Sequence, residues 1–102
     1  GYWPASLMDP NKVKTPEVSG TGFITFGLAW GVNNGILVDE ESKRVVEKGW
    51  AAIEQAISPN GRVNWVQHVG KSPDPVKETD SQLYGVGAVL LAASEMLKWT
   101  EQ

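Results

Sequence analysis

Three polar groupings in this chain of 102 residues have the makings of chemistry. Glu17-Val18-Ser19-Gly20-Thr21 sets a carboxylate and two hydroxyls at the head of an apolar stretch. If that stretch is a helix, its first N–H groups lack partners within it, and free N–H groups beside hydroxyls suit an anion. The same Ser19 and Thr21 suit plain capping, and the residues alone leave both roles open. Trp65 and Gln67 stand in "RVNWVQHVG". An aromatic face and an amide there suit the edge of a sugar site; burial of Trp65 in the core is the other role. Tyr84 opens a further apolar stretch, where its hydroxyl either faces the same rim or is satisfied inside the core. His68 is the only histidine and has no clustered carboxylate or second histidine. It reads as a surface or structural residue rather than a base.

Other chemistries are not supported. Without cysteine the chain has no disulfides and no thiolate metal sites. "GVGA" lacks the preceding strand and the spacing of a dinucleotide fingerprint, and no phosphate-binding loop, metal-ligand cluster or nucleophile elbow is present. A net charge of -3 without blocks of like charge offers no footprint for nucleic acid or an anionic membrane surface. No apolar run approaches the roughly 20 residues that span a bilayer.

The elements that must position these groups are mostly helical. Residues 1–16 carry Pro4, Pro10 and Pro16 and read as an irregular arm, with Tyr2, Trp3, Leu7 and Met8 as anchors. A first helix is predicted over about 18–34, capped by Glu17 or Ser19 and stopped by Asn33-Asn34-Gly35. A second, about Asp39 to Ile57, has Asp39, Glu40 and Glu41 at its positive end. Val46, Trp50, Ile53 and Ile57 mark its apolar face, and a wet face lies opposite. Ser58-Pro59-Asn60-Gly61 makes a turn, and Val63 onward reads as a short strand or an extended loop. After a Pro-rich loop, a third helix is predicted over about Ser81 to Thr100. Trp30, Trp50 and Trp99 read as core or rim residues.

The first and third helices have no wet face and hold several glycines, each costing about 1 kcal/mol against alanine. Such helices are expected to be surrounded by others, with small residues allowing close approach of their axes. The order inner, outer, inner suits a helical toroid, which three helices cannot close. The chain is therefore expected either to be part of something larger or to bury its inner face against another copy.

In this order and spacing, "PEVSGTGFITFGLAWGVNNGIL", "VVEKGWAAI", "NGRVNWVQHVG" and "YGVGAVLLAASEMLK" resemble the C-terminal part of bacterial glycoside hydrolases of families 88 and 105. "GYWPASLMDP" resembles the segment that precedes them there. The resemblance covers essentially the whole chain. It implies an all-α fold, with three principal helices forming a C-terminal part of an (α/α)6 barrel, and a single segment over 1–102. It also implies a substrate, an oligosaccharide with a 4,5-unsaturated uronic acid at its non-reducing end, as arises in pectin, rhamnogalacturonan or glycosaminoglycan breakdown.

In that family an aspartate acts as acid and base to hydrate the vinyl ether, after which the hemiketal opens and the sugar leaves. No metal or organic cofactor is implied. The aspartate belongs to earlier hairpins of the family fold, and Asp74 and Asp80 lie in the wrong blocks to replace it. No catalytic residue is therefore expected here, and the isolated segment is expected to be inactive. Ser residues of the matching block contact the substrate carboxylate in the glucuronyl branch, which makes Ser19 and Thr21 candidate contacts, beside Trp65, Gln67 and Tyr84. The chain begins Gly1-Tyr2-Trp3 and is expected to be a cut or processed piece of a longer protein, periplasmic or cytoplasmic in a bacterium. A partner sugar is expected, but no nucleic acid and no membrane. Two rivals stand beside this: a non-catalytic helical module that associates with itself or another chain through its inner-ring helices, and a sugar binder without turnover.

Overall fold

The computed structural model describes residues 2–3, 17–66, 81 and 83–100, with the side chains of Leu83 and Thr100 excepted. Three helices carry the fold: α1 Val18–Asn33, α2 Glu40–Ala56 and α3 Leu83–Thr100. The all-α expectation holds, with ends within about two residues of those read from sequence.

Each boundary has a local cause. α1 stops because Gly35 takes a φ of 73°, the left-handed conformation that glycine adopts freely. That turn lets the Gly35 N–H reach the Val32 carbonyl at 3.1 Å and the Ile36 N–H reach Gly31 at 2.8 Å. Leu37 then folds back over Gly31, where a Cβ would sit 3.0 Å from its Cδ1. α2 starts at the Asp39 cap, whose carboxylate accepts from the Ser42 N–H at 2.9 Å. It ends in a tight reversal: the Gly61 N–H bonds the Ser58 carbonyl at 2.8 Å, and Ile57 and Val63 form a single antiparallel bridge. Of the two alternatives after the turn, the described residues 63–66 form a loop, with only the isolated bridge at Val63.

α1 is the central element. It packs along α3 on one side and against α2 on the other, while α2 and α3 scarcely meet. At the first contact Gly22 lies against Ala88, where a Cβ would come within 3.0 Å of the alanine Cβ and 3.1 Å of its carbonyl carbon. At the second, Gly49 of α2 lets Thr25 and the Trp3 ring approach. Ile53, Ala56, Val63, Val66, Val89 and Ala92 close one core around Val18, and Ala29, Val46 and Met96 form another further along α1.

One expectation is met only in part. α1 and α3 are not covered on all sides by the described residues. Phe23 and Trp30 of α1 are 47% and 46% exposed, and Leu90, Leu91 and Leu97 of α3 are 64%, 42% and 62% exposed. Among the described residues, Gly27 and Gly87 have no neighbour within 4 Å of a would-be Cβ. Close packing thus accounts for Gly22 and Gly85 but not for these two. The arm's Trp3 is anchored as expected, while Leu7 and Met8 lie outside the described residues.

The far end of α1 is tied to α3 by a polar latch. Asn33 Nδ2 donates to the Glu95 carbonyl at 3.0 Å and to its Oε1 at 3.2 Å, and Lys98 Nζ donates to Oε2 at 3.0 Å. Glu95 is only 4% exposed. Its carboxyl lies below the usual range, held there chiefly by the Lys98 bond and further by Asn33, against the opposing effect of burial. Because the folded value lies below the unfolded one, the stabilisation is complete above the unfolded value and is lost as pH falls through the folded one. Glu95→Gln should therefore lower the urea midpoint near neutrality and make its fall below about pH 5 shallower. Asp39, held low by the Ser42 N–H, keeps its own share of that slope in the variant.

A second test concerns the approach of α3 to the extended loop. A Cβ on Gly85 would lie 2.5 and 2.6 Å from the two Val66 methyls, and Val66 is fully buried. Gly85→Ala should cost about 1–3 kcal/mol through overpacking, despite alanine's better helix propensity. Denaturant unfolding reads this directly.

Candidate functional site

Four stretches meet around the head of α1: the arm at Tyr2 and Trp3, the Glu17 cap, the loop at Trp65 and the first turn of α3 at Tyr84. Glu17 has extended backbone angles of -136° and 109°, which lay its carboxylate over the helix start. Oε1 accepts from the Gly20 N–H at 2.7 Å and Oε2 from the Ser19 N–H at 3.2 Å. The Val18 N–H instead donates to the Trp65 carbonyl at 2.8 Å, and the Thr21 N–H reaches the Glu17 carbonyl at 3.3 Å. Every N–H of the first turn is thus satisfied although Glu17 is only 3% exposed. A carboxylate also suits the positive end of the helix dipole.

To offer its carbonyl, Trp65 adopts a φ of 60°, a left-handed conformation uncommon for a residue with a Cβ. Such a position costs roughly 1–3 kcal/mol and persists only where its surroundings impose it. Here they do. Asn64 and Val66 on either side are buried, the Asn64 N–H bonds the Ala56 carbonyl at 3.0 Å, and its Nδ2 donates to Ser58 Oγ at 2.6 Å. The Trp65 ring itself is half-buried and packs against the same core as Tyr84.

Ser19 and Thr21 are two residues apart, a spacing that sends side chains to different sides of a helix. The Ser19 hydroxyl donates to Glu17 Oε1 at 2.6 Å and is also hydrogen-bonded to the Tyr84 side chain. The Thr21 hydroxyl faces the arm, donating to the Glu17 carbonyl at 2.9 Å and accepting from the Trp3 N–H at 2.9 Å. Both residues are buried. Their hydroxyls do not converge on a common point, and each is engaged within the chain.

Tyr84 is half-buried. Burial pushes its phenol above the usual value and the negative Glu17 adds to this, while the Ser19 bond pulls the other way. On the Thr21 side, a cavity of about 220 Å³ lies between α1 and α2. Its walls include Tyr2, Thr21, Ile53, Gln55 and Trp65, but not Tyr84. Trp65 therefore belongs both to the cavity and to the core against which Tyr84 packs. Gln67 and His68 lie outside the described residues.

Two features were missed from sequence. Tyr2 reads as an anchor in the sequence and Gln55 carries no signal there, yet both join Trp65 on the cavity wall, because the arm and the end of α2 are brought together only by folding. The sequence offers Glu17 as a cap without showing that it also accepts from the Ser19 hydroxyl. The available signal was an acid two residues before a serine at a helix start, where one carboxylate can take both a backbone N–H and a hydroxyl. Among the described residues no three His, Cys, Asp or Glu side chains gather as metal ligands would.

With this geometry in view, similarity to known proteins gives it a context. The profile of Glycosyl Hydrolase Family 88 matches residues 1–100. A protein of Alteromonas sp. (strain LOR) named unsaturated 3S-rhamnoglycuronyl hydrolase is 82% identical over 101 residues, which are 99% of this chain and 24% of that protein. A protein of the same name from Formosa agariphila is 46% identical over 101 residues, 99% of this chain and 27% of its own length. The chain thus spans about a quarter of the curated relatives it matches. Among solved structures, a glycosyl hydrolase family 88 protein from Bacteroides vulgatus superposes with a TM-score of 0.89 at 38% identity, over 95% of this chain and 29% of that one.

Proposed function

The chain belongs to glycosyl hydrolase family 88, and from that premise we propose that the intact protein hydrolyses oligosaccharides ending in an unsaturated uronic acid linked to a rhamnose. Its three helices are part of an (α/α)6 barrel. The observation that carries the proposal is the 82% identity, across 99% of this chain, to a protein named for that activity. The catalytic aspartate expected from the family resemblance lies outside these residues, so this segment supplies one edge of the site and not the acid.

The residues singled out from sequence enter that edge in two ways. Trp65 and Tyr84, both half-buried, are the groups with surface to meet a sugar. Ser19 and Thr21, buried and engaged, back them. Gln67 is retained as a candidate contact outside the described residues. An aromatic face and a phenolic hydroxyl suit a sugar ring, which presents C–H groups on its faces and hydroxyls at its edge.

The test uses an unsaturated rhamnoglycuronyl disaccharide made by a polysaccharide lyase. The intact protein should abolish the ultraviolet absorbance of the conjugated double bond and release the rhamnose end, whereas residues 1–102 alone should leave it intact. Persistence of the absorbance with the intact protein would sink the proposal.

A second reading concerns the segment by itself. Exposure of Phe23, Trp30, Leu90, Leu91 and Leu97 supports association through the faces of α1 and α3, since isolated small domains rarely leave such patches open. Light scattering on residues 1–102 should then give a mass above the 11.1 kDa of one chain; a stable monomer would remove this reading.

A further inference from the structure

The cavity between α1 and α2 has a floor and a rim of different chemistry. Val18, Ile53 and Ala56 on its floor are buried and apolar. Its rim carries Tyr2, Trp65 and the amide of Gln55, all at least partly exposed. Among the described residues no Asp, Glu, Lys or Arg lines it. Both rim aromatics are tethered to α1 through the backbone. The Trp65 carbonyl accepts from the Val18 N–H at 2.8 Å, and beside Tyr2 the Trp3 N–H donates to Thr21 Oγ1 at 2.9 Å. The Trp3 ring is itself seated over Gly49, where a Cβ would lie 3.2 Å from its Cζ3. The strained backbone of Trp65 thus serves a cavity rim as well as a helix end.

We propose that this cavity is the subsite for the rhamnose ring of the substrate, with the C6 methyl on the apolar floor and a ring face against the rim aromatics; this rests on the activity proposed above. At about 220 Å³ the cavity falls below the roughly 300 Å³ at which pockets for drug-sized ligands begin, which suits one sugar ring and not a chain. The uronic acid is excluded by charge, because its carboxylate would be buried there with no cation to pair it. A fully hydroxylated hexose is disfavoured by the floor, where a C6 hydroxyl would face Val18 and Ile53 without a partner. A 6-deoxy sugar puts a methyl there instead and turns its ring hydroxyls toward Gln55. A rim fixed before binding also loses little freedom when the sugar arrives.

Filling the cavity tests this in the intact protein. Ala52 lines it and is half-buried, while its neighbour Ala51 is exposed and does not line it. Ala52→Leu should lower kcat/KM for the unsaturated rhamnosyl disaccharide about 10-fold more than for the methyl glycoside of the same unsaturated uronic acid, which has no second ring to place there. Ala51→Leu makes the same change on a water-facing surface and should keep the wild-type ratio of the two substrates. Exchanging rhamnose in the disaccharide for mannose of the same configuration, which adds only a C6 hydroxyl, should cost the wild-type protein about 10-fold. An unchanged ratio in Ala52→Leu, or an equal change in Ala51→Leu, would overturn the subsite.

A second readout does not depend on turnover. In saturation-transfer NMR of methyl α-rhamnoside with the intact protein, the C6 methyl should receive more magnetisation than the ring protons, and Ala52→Leu should remove that difference. Even transfer over the whole sugar, or none, counts against the subsite in the folded wild-type protein. If the methyl is preferentially saturated while the disaccharide goes unconsumed, the proposed activity falls and the subsite stands. If the disaccharide is consumed and Ala52→Leu leaves the substrate ratio unmoved, the subsite alone falls.

Discussion

The start of a buried helix presents N–H groups that water cannot reach, and the organisation of this chain follows from how they are satisfied. Four donors open α1. Glu17 takes two of them with its carboxylate and one with its carbonyl, and Trp65 takes the fourth. Leaving even one unpaired would cost about 1–3 kcal/mol. The solution reaches outward, because Trp65 can turn its carbonyl to Val18 only by adopting a left-handed backbone. That conformation is held by Asn64 and Val66, and Val66 in turn demands a glycine at position 85 of α3. One requirement at a helix end thereby joins the cap, the loop and the third helix.

The same requirement explains the chemistry at this end. A carboxylate buried among donors orders the hydroxyls around it, and the Ser19 hydroxyl is oriented before any ligand arrives. Thr21 shares the helix but faces the arm and holds Trp3, so its hydroxyl serves a different neighbour. Polar residues that look like a single recognition pair in sequence are thus separated by the turn of the helix. Conversely, Tyr2, Gln55 and Trp65, from three distant stretches, come to share one cavity wall.

Packing along α1 has two regimes. Toward α3 and α2 the backbones come close at Gly22 and Gly49, and dispersion contacts offset the poor helix propensity of glycine. On the remaining side Phe23, Gly27 and Trp30 form a stripe at helical spacing that the described residues leave open, and Leu90, Leu91 and Leu97 do likewise on α3. An outer helix such as α2, with Arg44, Glu47, Lys48 and Glu54 exposed, needs no further cover. In an (α/α)6 barrel inner helices have neighbours on both flanks and outer ones face water, and these faces divide in that way.

The sequence by itself determined the three helices, the starts and stops of α1 and α2, and the family. Those features are local: an acid before a helix, Gly35 after one, an apolar period along α2, and ordered blocks of residues. It also marked Ser19, Thr21, Trp65 and Tyr84 as residues that could do chemistry. Tertiary structure decided what each of them faces. Side-chain direction depends on helical phase and on which elements pack together, so the burial of Glu17, the meeting of Tyr84 with Ser19 and the engagement of Thr21 with Trp3 appear only once α1, α3 and the arm are in place. The backbone of Trp65 is the clearest case. Nothing local favours a left-handed tryptophan; a distant helix end in need of an acceptor imposes it.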